Sequence, residues 1–278
     1  MLKRILVGVV FIPIVFVILF ILPPIWTAVM VSVIASLASY ELLRATRVAH
    51  HNSAYLVTAL SAALIPFGIY FVENGWRVSG SVPVYLCALV LMCTLFFQAI
   101  RRFGSESAIP AEHIIMCLFG GAAIPAFLSC LVRLKMLENG HLMVMLPIIS
   151  AFLTDTGAYF VGVFCGKHRG VTKVSPNKSL EGYIGGILFG GLFMVLYGLA
   201  LNHFFSMNAS LPVMAVYGLV GSAVTELGDL SFSLIKRQFA VKDYGDLLPG
   251  HGGMMDRFDS MTFAAPTLWL MVQILPAF

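Results

Sequence analysis

The stretch 246-DLLPGHGGMMDRFDS-260 sets three glycines, a histidine, an arginine and three acids within fifteen residues. Gly250, Gly252 and Gly253 permit φ > 0, so successive N–H groups can turn inward as an anion-binding concavity, and Pro249 stiffens its entry. Arg257 offers a planar fork for phosphate. Asp256 and Asp259 offer oxygens to a metal, three residues apart and so on one helix face. His251 is open to two readings, a phosphate contact or a purely structural place. Anion donors packed among cation acceptors describe a metal–polyphosphate site.

More acids fall inside apolar runs: Asp155 in 152-FLTDTGAYFVG-162, and Glu226 with Asp229 in 225-TELGDLSFS-233. An ionisable group in a membrane span costs about 2.5–3.5 kcal/mol on insertion scales and is functional by default. One such acid can be explained by pairing with a buried Lys or Arg. Five, with no Lys or Arg inside the spans beside them, call for cations, and an oxygen-rich set suits Mg²⁺, with or without a second cation. Two basic loops adjoin these acids. The segment 166-GKHRGVTKVSPNKSLEG-182 carries Lys167, His168, Arg169, Lys173 and Lys178, with Ser175-Pro176 shortly before a helix start. Backbone N–H groups there, with nearby Lys and Arg, make an anion site. The segment 236-KRQFAVKD-243 leads into the glycine-rich stretch. Contact with anionic headgroups would explain the basic charge alone. It would not explain the interspersed acids, the Ser-Pro-x-Lys turn or the glycine pair.

The elements that position these residues are membrane helices. The 278-residue chain is 59% hydrophobic and 11% charged, with mean hydropathy +0.94, against about 25% charged in soluble domains. Apolar runs near the ~20 residues a span needs occur at 5–22, 25–43, 54–73, 83–99, 113–133, 142–165, 183–204, 211–235 and 259–277. The sequence therefore predicts an all-α, polytopic bundle of about nine transmembrane helices. The positive-inside bias puts the N-terminus in the cytoplasm and the C-terminus outside: of the 17 Lys and Arg, only Arg77, Arg133 and Lys135 fall on the other side. The formal charge of +4 reflects that bias and needs no nucleic acid. Both polar loops, and with them the site, then face the cytoplasm. The basic start followed by an apolar run resembles a signal peptide, but it lacks a small-residue cleavage site and reads better as an uncleaved first span. The five cysteines include no C-x-x-C and read as apolar packing residues. Residues 1–105 read as a scaffold, and 106–278 as a catalytic region with cytoplasmic loops 166–182 and 236–258. Gly182, Gly186 and Gly190, four apart, read as a close helix–helix contact.

At these residues the chain resembles the phosphatidate cytidylyltransferases, or CDP-diglyceride synthetases. Their C-terminal signature can be followed through Ser233, Lys236, Arg237, Lys242, Asp243, Pro249, His251, Gly252, Gly253, Asp256, Arg257 and Asp259. Upstream, Asp155-Thr156-Gly157-Ala158-Tyr159 and Ser175-Pro176-x-Lys178 also look like family motifs. The resemblance is carried by 150–262 and is topological before that. Two departures stand out: Leu180 where the family has Trp, and Phe232 where it often has Glu. The resemblance implies CTP and phosphatidate as substrates, an inner-membrane location and a homodimer. It implies catalytic roles for Asp229, Asp256, Asp259, Lys236 and Arg237, the last two receiving the phosphatidate phosphate. Metal binding would fall to Asp229, Asp256, Asp259, Glu226 and Asp155. CTP would be held by Lys173, Ser175, Lys178, His251, Gly252, Gly253 and Arg257. Two other readings compete: a CTP-dependent lipid-alcohol kinase and a cation-coupled carrier. Carriers often show paired repeats, and none is found here.

Overall fold

The computed structural model describes residues 13–48, 52–105, 108–247 and 252–278. Among these residues the regular structure is helical, joined by one isolated antiparallel bridge between Arg169 and Ser179. Among the described residues, seven helices are long and apolar enough to cross a membrane: α1 (Pro24–Ala45), α2 (Asn52–Glu73), α3 (Val82–Arg101), α4 (Ala111–Met136), α5 (Gly140–Cys165), α6 (Leu180–Phe205) and α7 (Leu211–Gln238). The chain is a multi-pass membrane protein. They match seven of the nine apolar runs. The first run lies partly outside the described residues. The last forms α8 (Met255–Ile274), whose polar first turn keeps it out of the apolar set.

The chain clusters into two compact units, Met1–Met143 with Gln238–Phe258, and Val144–Arg237 with Asp259–Phe278. In the first, α1 opens on Pro24, whose missing N–H costs nothing at a helix start. The sequence reads α4 as one smooth span, but it carries a π-turn at Phe119–Ala123. Pro125 cannot donate to the carbonyl four residues back, that of Gly121. Ser61 Oγ donates to Gly121 O, at 2.8 Å, so this carbonyl has a partner within the bilayer.

In the second unit α6 packs along α5 and α7 through its glycine row. A Cβ on Gly182 would stand 3.0 Å from Ala158 O, and one on Gly186 2.9 Å from both Thr154 O and a Glu226 oxygen. One on Gly190 would strike Ser222 Oγ. The missing side chains let the helices close at this level. Tyr217 is fully buried and donates to Leu275 O at 2.6 Å, which ties α7 to the end of α8.

Candidate active site

In the second unit, the 166–179 loop is folded onto the start of α6. Ser175, Pro176, Asn177 and Lys178 form a β-turn with proline at its second position, closed by Lys178 N–H donating to Ser175 O at 3.2 Å. Gly170, at φ +73°, donates to Pro176 O at 3.1 Å. Ser179 caps α6 by accepting from Gly182 N–H at 3.1 Å. Glu181, in the first turn, accepts from Lys167 N–H at 3.1 Å and meets His168 Nδ1 at 2.5 Å. Glu181 and His168 thus brace the loop, a role their sequence spacing does not announce.

The turn delivers Lys178 to α7. Its Nζ lies 2.7 Å from Glu226 Oε2 and 2.7 Å from Asp229 Oδ2, two acids that the 3.6-residue period sets on one face. The sequence expectation left these acids without a cation inside the spans; the structure brings one from a loop. Burial opposes the charge on Lys178, but Asp229 and Glu226 outweigh it and hold the ammonium above the usual lysine range. An ammonium has three N–H groups; two face carboxylates, and the amine also lies 5.3 Å above the Tyr183 ring. Glu226 Oε1 and Tyr183 Oη are buried without a hydrogen-bond partner.

Beside this cluster is a cavity of about 340 Å³, lined by Asp155, Tyr159, Arg169, Asn177, Lys178 and Tyr183 among others. Its lining carries two cations, Arg169 and Lys178, and one acid, Asp155, and is otherwise largely apolar. Asp259 is 7% exposed and accepts from Ser260 N–H at 2.7 Å; the charges acting on it include Asp229, Lys236 and Asp155. The expected acids Asp155, Glu226, Asp229 and Asp259 therefore belong to one electrostatic neighbourhood. Lys236 and Arg237 end α7, and Arg237 Nε donates to Val174 O at 3.3 Å. Lys173 is exposed, and Ser175 serves the β-turn.

In the first unit, Gly252 adopts φ +81°, the left-handed geometry that the glycine pattern predicts. The anion on this turn is the protein's own: Asp256 Oδ2 accepts from Gly253 N–H at 3.0 Å and Tyr244 N–H at 2.8 Å. Gly253 N–H, expected to meet a nucleotide phosphate, is engaged by Asp256 instead. Arg257 is exposed. His251 and Pro249 lie outside the described residues.

Sequence reasoning missed Glu41. This α1 residue is 5% exposed and its Oε2 accepts from Met255 N–H at 2.8 Å. A lone acid at the end of a span has no partner spacing to mark it.

Among the described residues, no three His, Cys, Asp or Glu side chains stand in ready metal-ligand geometry. The donors still fit a hard cation in kind: Glu226 and Asp229 already converge on one positive centre, and Glu226 keeps an unused buried oxygen. The departures from the family pattern fall outside this cluster of contacts. Phe232 is 1% exposed and packs edge-on against Phe263, and Leu180 is exposed on the first turn of α6.

The chain matches the model of the Cytidylyltransferase family over residues 2–275. It is 31% identical over 281 residues to a phosphatidate cytidylyltransferase of Bacillus subtilis, an alignment covering 98% of this chain and 97% of that one. It is 28% identical over 261 residues to the protein of that name from Mycobacterium bovis, covering 91% and 82%. A shorter match to the Staphylococcus aureus protein of that name is 43% identical over 129 residues, 46% of this chain and 48% of the other. A family match that runs almost end to end leaves one conclusion: the chain belongs to the cytidylyltransferase family.

Proposed function

We propose that this protein is a CTP:phosphatidate cytidylyltransferase of the inner membrane, with its site on the cytoplasmic side. The observation that carries the reading is Lys178 between Glu226 and Asp229, in the lining of a cavity that also holds Arg169 and is otherwise largely apolar. A phosphatidate phosphate oxygen attacks the α-phosphorus of CTP. A new P–O bond forms, the bond to the bridging β-phosphate oxygen breaks, and pyrophosphate leaves with that electron pair. Phosphatidate is already an oxyanion, so no strong base is needed. The barrier lies in bringing anions together and in the charge on the leaving group.

Lys178 keeps its two carboxylates and turns its third N–H to a CTP phosphate, with Lys173 beside the polyphosphate and, by the family resemblance alone, Arg257. Lys236 and Arg237 receive the phosphatidate phosphate near the headgroup level. By the family resemblance, Asp229 and Asp256 would be the principal holders of Mg²⁺, with Glu226, Asp259 and Asp155 completing or orienting the set. When bound, Mg²⁺ would neutralise charge on the phosphates and on the departing pyrophosphate.

Purified protein given CTP, Mg²⁺ and phosphatidate in detergent should yield CDP-diacylglycerol and pyrophosphate in equal amounts. CDP with a phosphorylated lipid, given a lipid alcohol, would instead establish a kinase. Ion flux in liposomes without nucleotide turnover would establish a carrier.

A further inference from the structure

We infer that Glu41 is a positioning residue for the reaction, a hydrogen-bond acceptor supplied by α1 to fix the start of α8. The inference rests on the proposed cytidylyltransferase reading for what α8 does, but not for the contact itself. Glu41 lies 214 residues before its partner, Met255, whose N–H it accepts at 2.8 Å. The first N–H groups of a helix have no intrahelical acceptor, and a carboxylate there also meets the positive end of the helix dipole. The surrounding loop is shaped to admit it. A Cβ on Gly245 would stand 2.6 Å from Glu41 Oε1, and one on Gly253 would strike the carboxylate outright. Two glycines separated in sequence thus leave room for one buried side chain. Next to Met255, Asp256 accepts from Tyr244 and Gly253 N–H groups. The two carboxylates together hold the loop and the first turn of α8, so the position of Asp256 depends on Glu41. Glu41 itself touches no substrate in this scheme; it acts through the backbone.

The test uses the full chain in detergent, with steady-state kinetics and backbone amide exchange measured on the same preparations. Glu41→Ala should lower kcat about 10- to 100-fold, the scale of a misplaced reacting group, with KM for phosphatidate changed less than about twofold. Amide exchange should quicken in the peptide spanning 252–258 and stay unchanged in α5, α6 and α7. Glu41→Gln retains an oxygen that can accept from Met255 N–H and should keep kcat within about threefold with normal exchange. If the Ala variant fails to accumulate, Glu41→Asp carries the test, because its shorter side chain cannot keep the contact; the same pairing of slowed turnover and local exchange is expected. Unchanged kcat, lost kcat without the local exchange change, or faster exchange throughout the chain would each overturn the inference. Wild-type protein that makes no CDP-diacylglycerol would sink the proposed function instead, while the exchange measurement would still decide whether Glu41 holds α8.

Discussion

Replacing Lys178 by Met tests whether the paired acids of α7 depend on a loop cation. Met keeps most of the side-chain volume and removes the charge. Glu226 is 5% exposed, Asp229 23% and Lys178 27%, with both contacts at 2.7 Å. Glu226 has little freedom to swing into water, because one of its oxygens lies where a Cβ on Gly186 would be 2.9 Å away. Removing one partner of a fully buried pair costs about 3–5 kcal/mol, and an exposed pair contributes about 0–1. Partial exposure places this loss between those limits, at about 2–3 kcal/mol. The assay is equilibrium unfolding in mixed micelles titrated with SDS, applied to Lys178→Met, Glu226→Gln and the double variant. Neutralising Glu226 should recover much of the loss, leaving a coupling energy of about 1–3 kcal/mol. A cycle additive to within about 0.5 kcal/mol would refute the buried ion lock and make Lys178 a ligand for substrate alone.

Asp229→Asn should reduce turnover about 100-fold or more while the protein still inserts and folds, and full activity would remove it from the metal set. In Asp256→Asn the amide oxygen can still accept the Tyr244 and Gly253 N–H groups, so lost turnover with unchanged amide exchange in 244–256 would report the missing charge; faster exchange there would show that the loop had failed instead. Gly190→Ala should destabilise by about 1–3 kcal/mol in the same SDS titration, because its methyl meets Ser222 Oγ and lies 2.8 Å from Thr154 Oγ1. Ser222→Gly should recover part of that loss, and a neutral Gly190→Ala would contradict the packing. The Lys178 pKa is raised from 10.5, so its stabilisation is fully present below that value and is lost only as pH rises through the higher folded-state value. The stability difference between wild type and Lys178→Met should therefore stay flat from about pH 7 to 9.5. A decline within that window would show that Lys178 is not held charged by its neighbours.

The membrane helices were legible because hydropathy over some 20 residues is a sum in which single errors cancel. The polar residues of the site were legible for the opposite reason: each acid in an apolar run stands out alone. Pairing was harder to read. Nothing in the spacing of Lys178 and Glu226, 48 positions apart, says that a β-turn carries one to the other. The left-handed turn at Gly252 was legible from the glycine pattern, but the acceptor on the neighbouring Gly253 N–H is Asp256, a residue the sequence assigned to metal. Glu41 escaped because its partner is a backbone N–H, which every residue but proline possesses. A sequence cannot single out one amide among hundreds. The π-turn of α4 was not legible in the sequence, which shows only one apolar run over 113–133; it became evident with the structure, where Ser61 donates to Gly121 O.

The acids divide by what already holds them, and that division assigns different work to each. Asp256 Oδ2 carries two backbone N–H bonds, which fix its orientation. Such a group loses little freedom on binding a cation, but it cannot move far to meet one. Glu226 is the reverse. It is held by one lysine and presents a second buried oxygen that nothing satisfies, an arrangement that costs about 1–3 kcal/mol. Asp229 shares the same lysine and is more accessible to water. A cation arriving at the α7 pair would therefore satisfy an unmet acceptor and gain a second carboxylate, without breaking any backbone bond. The α8 acid offers geometry and the α7 pair offers unmet charge, which is why neutralising Asp229 should affect cation binding while truncating Asp256 should also disturb the loop.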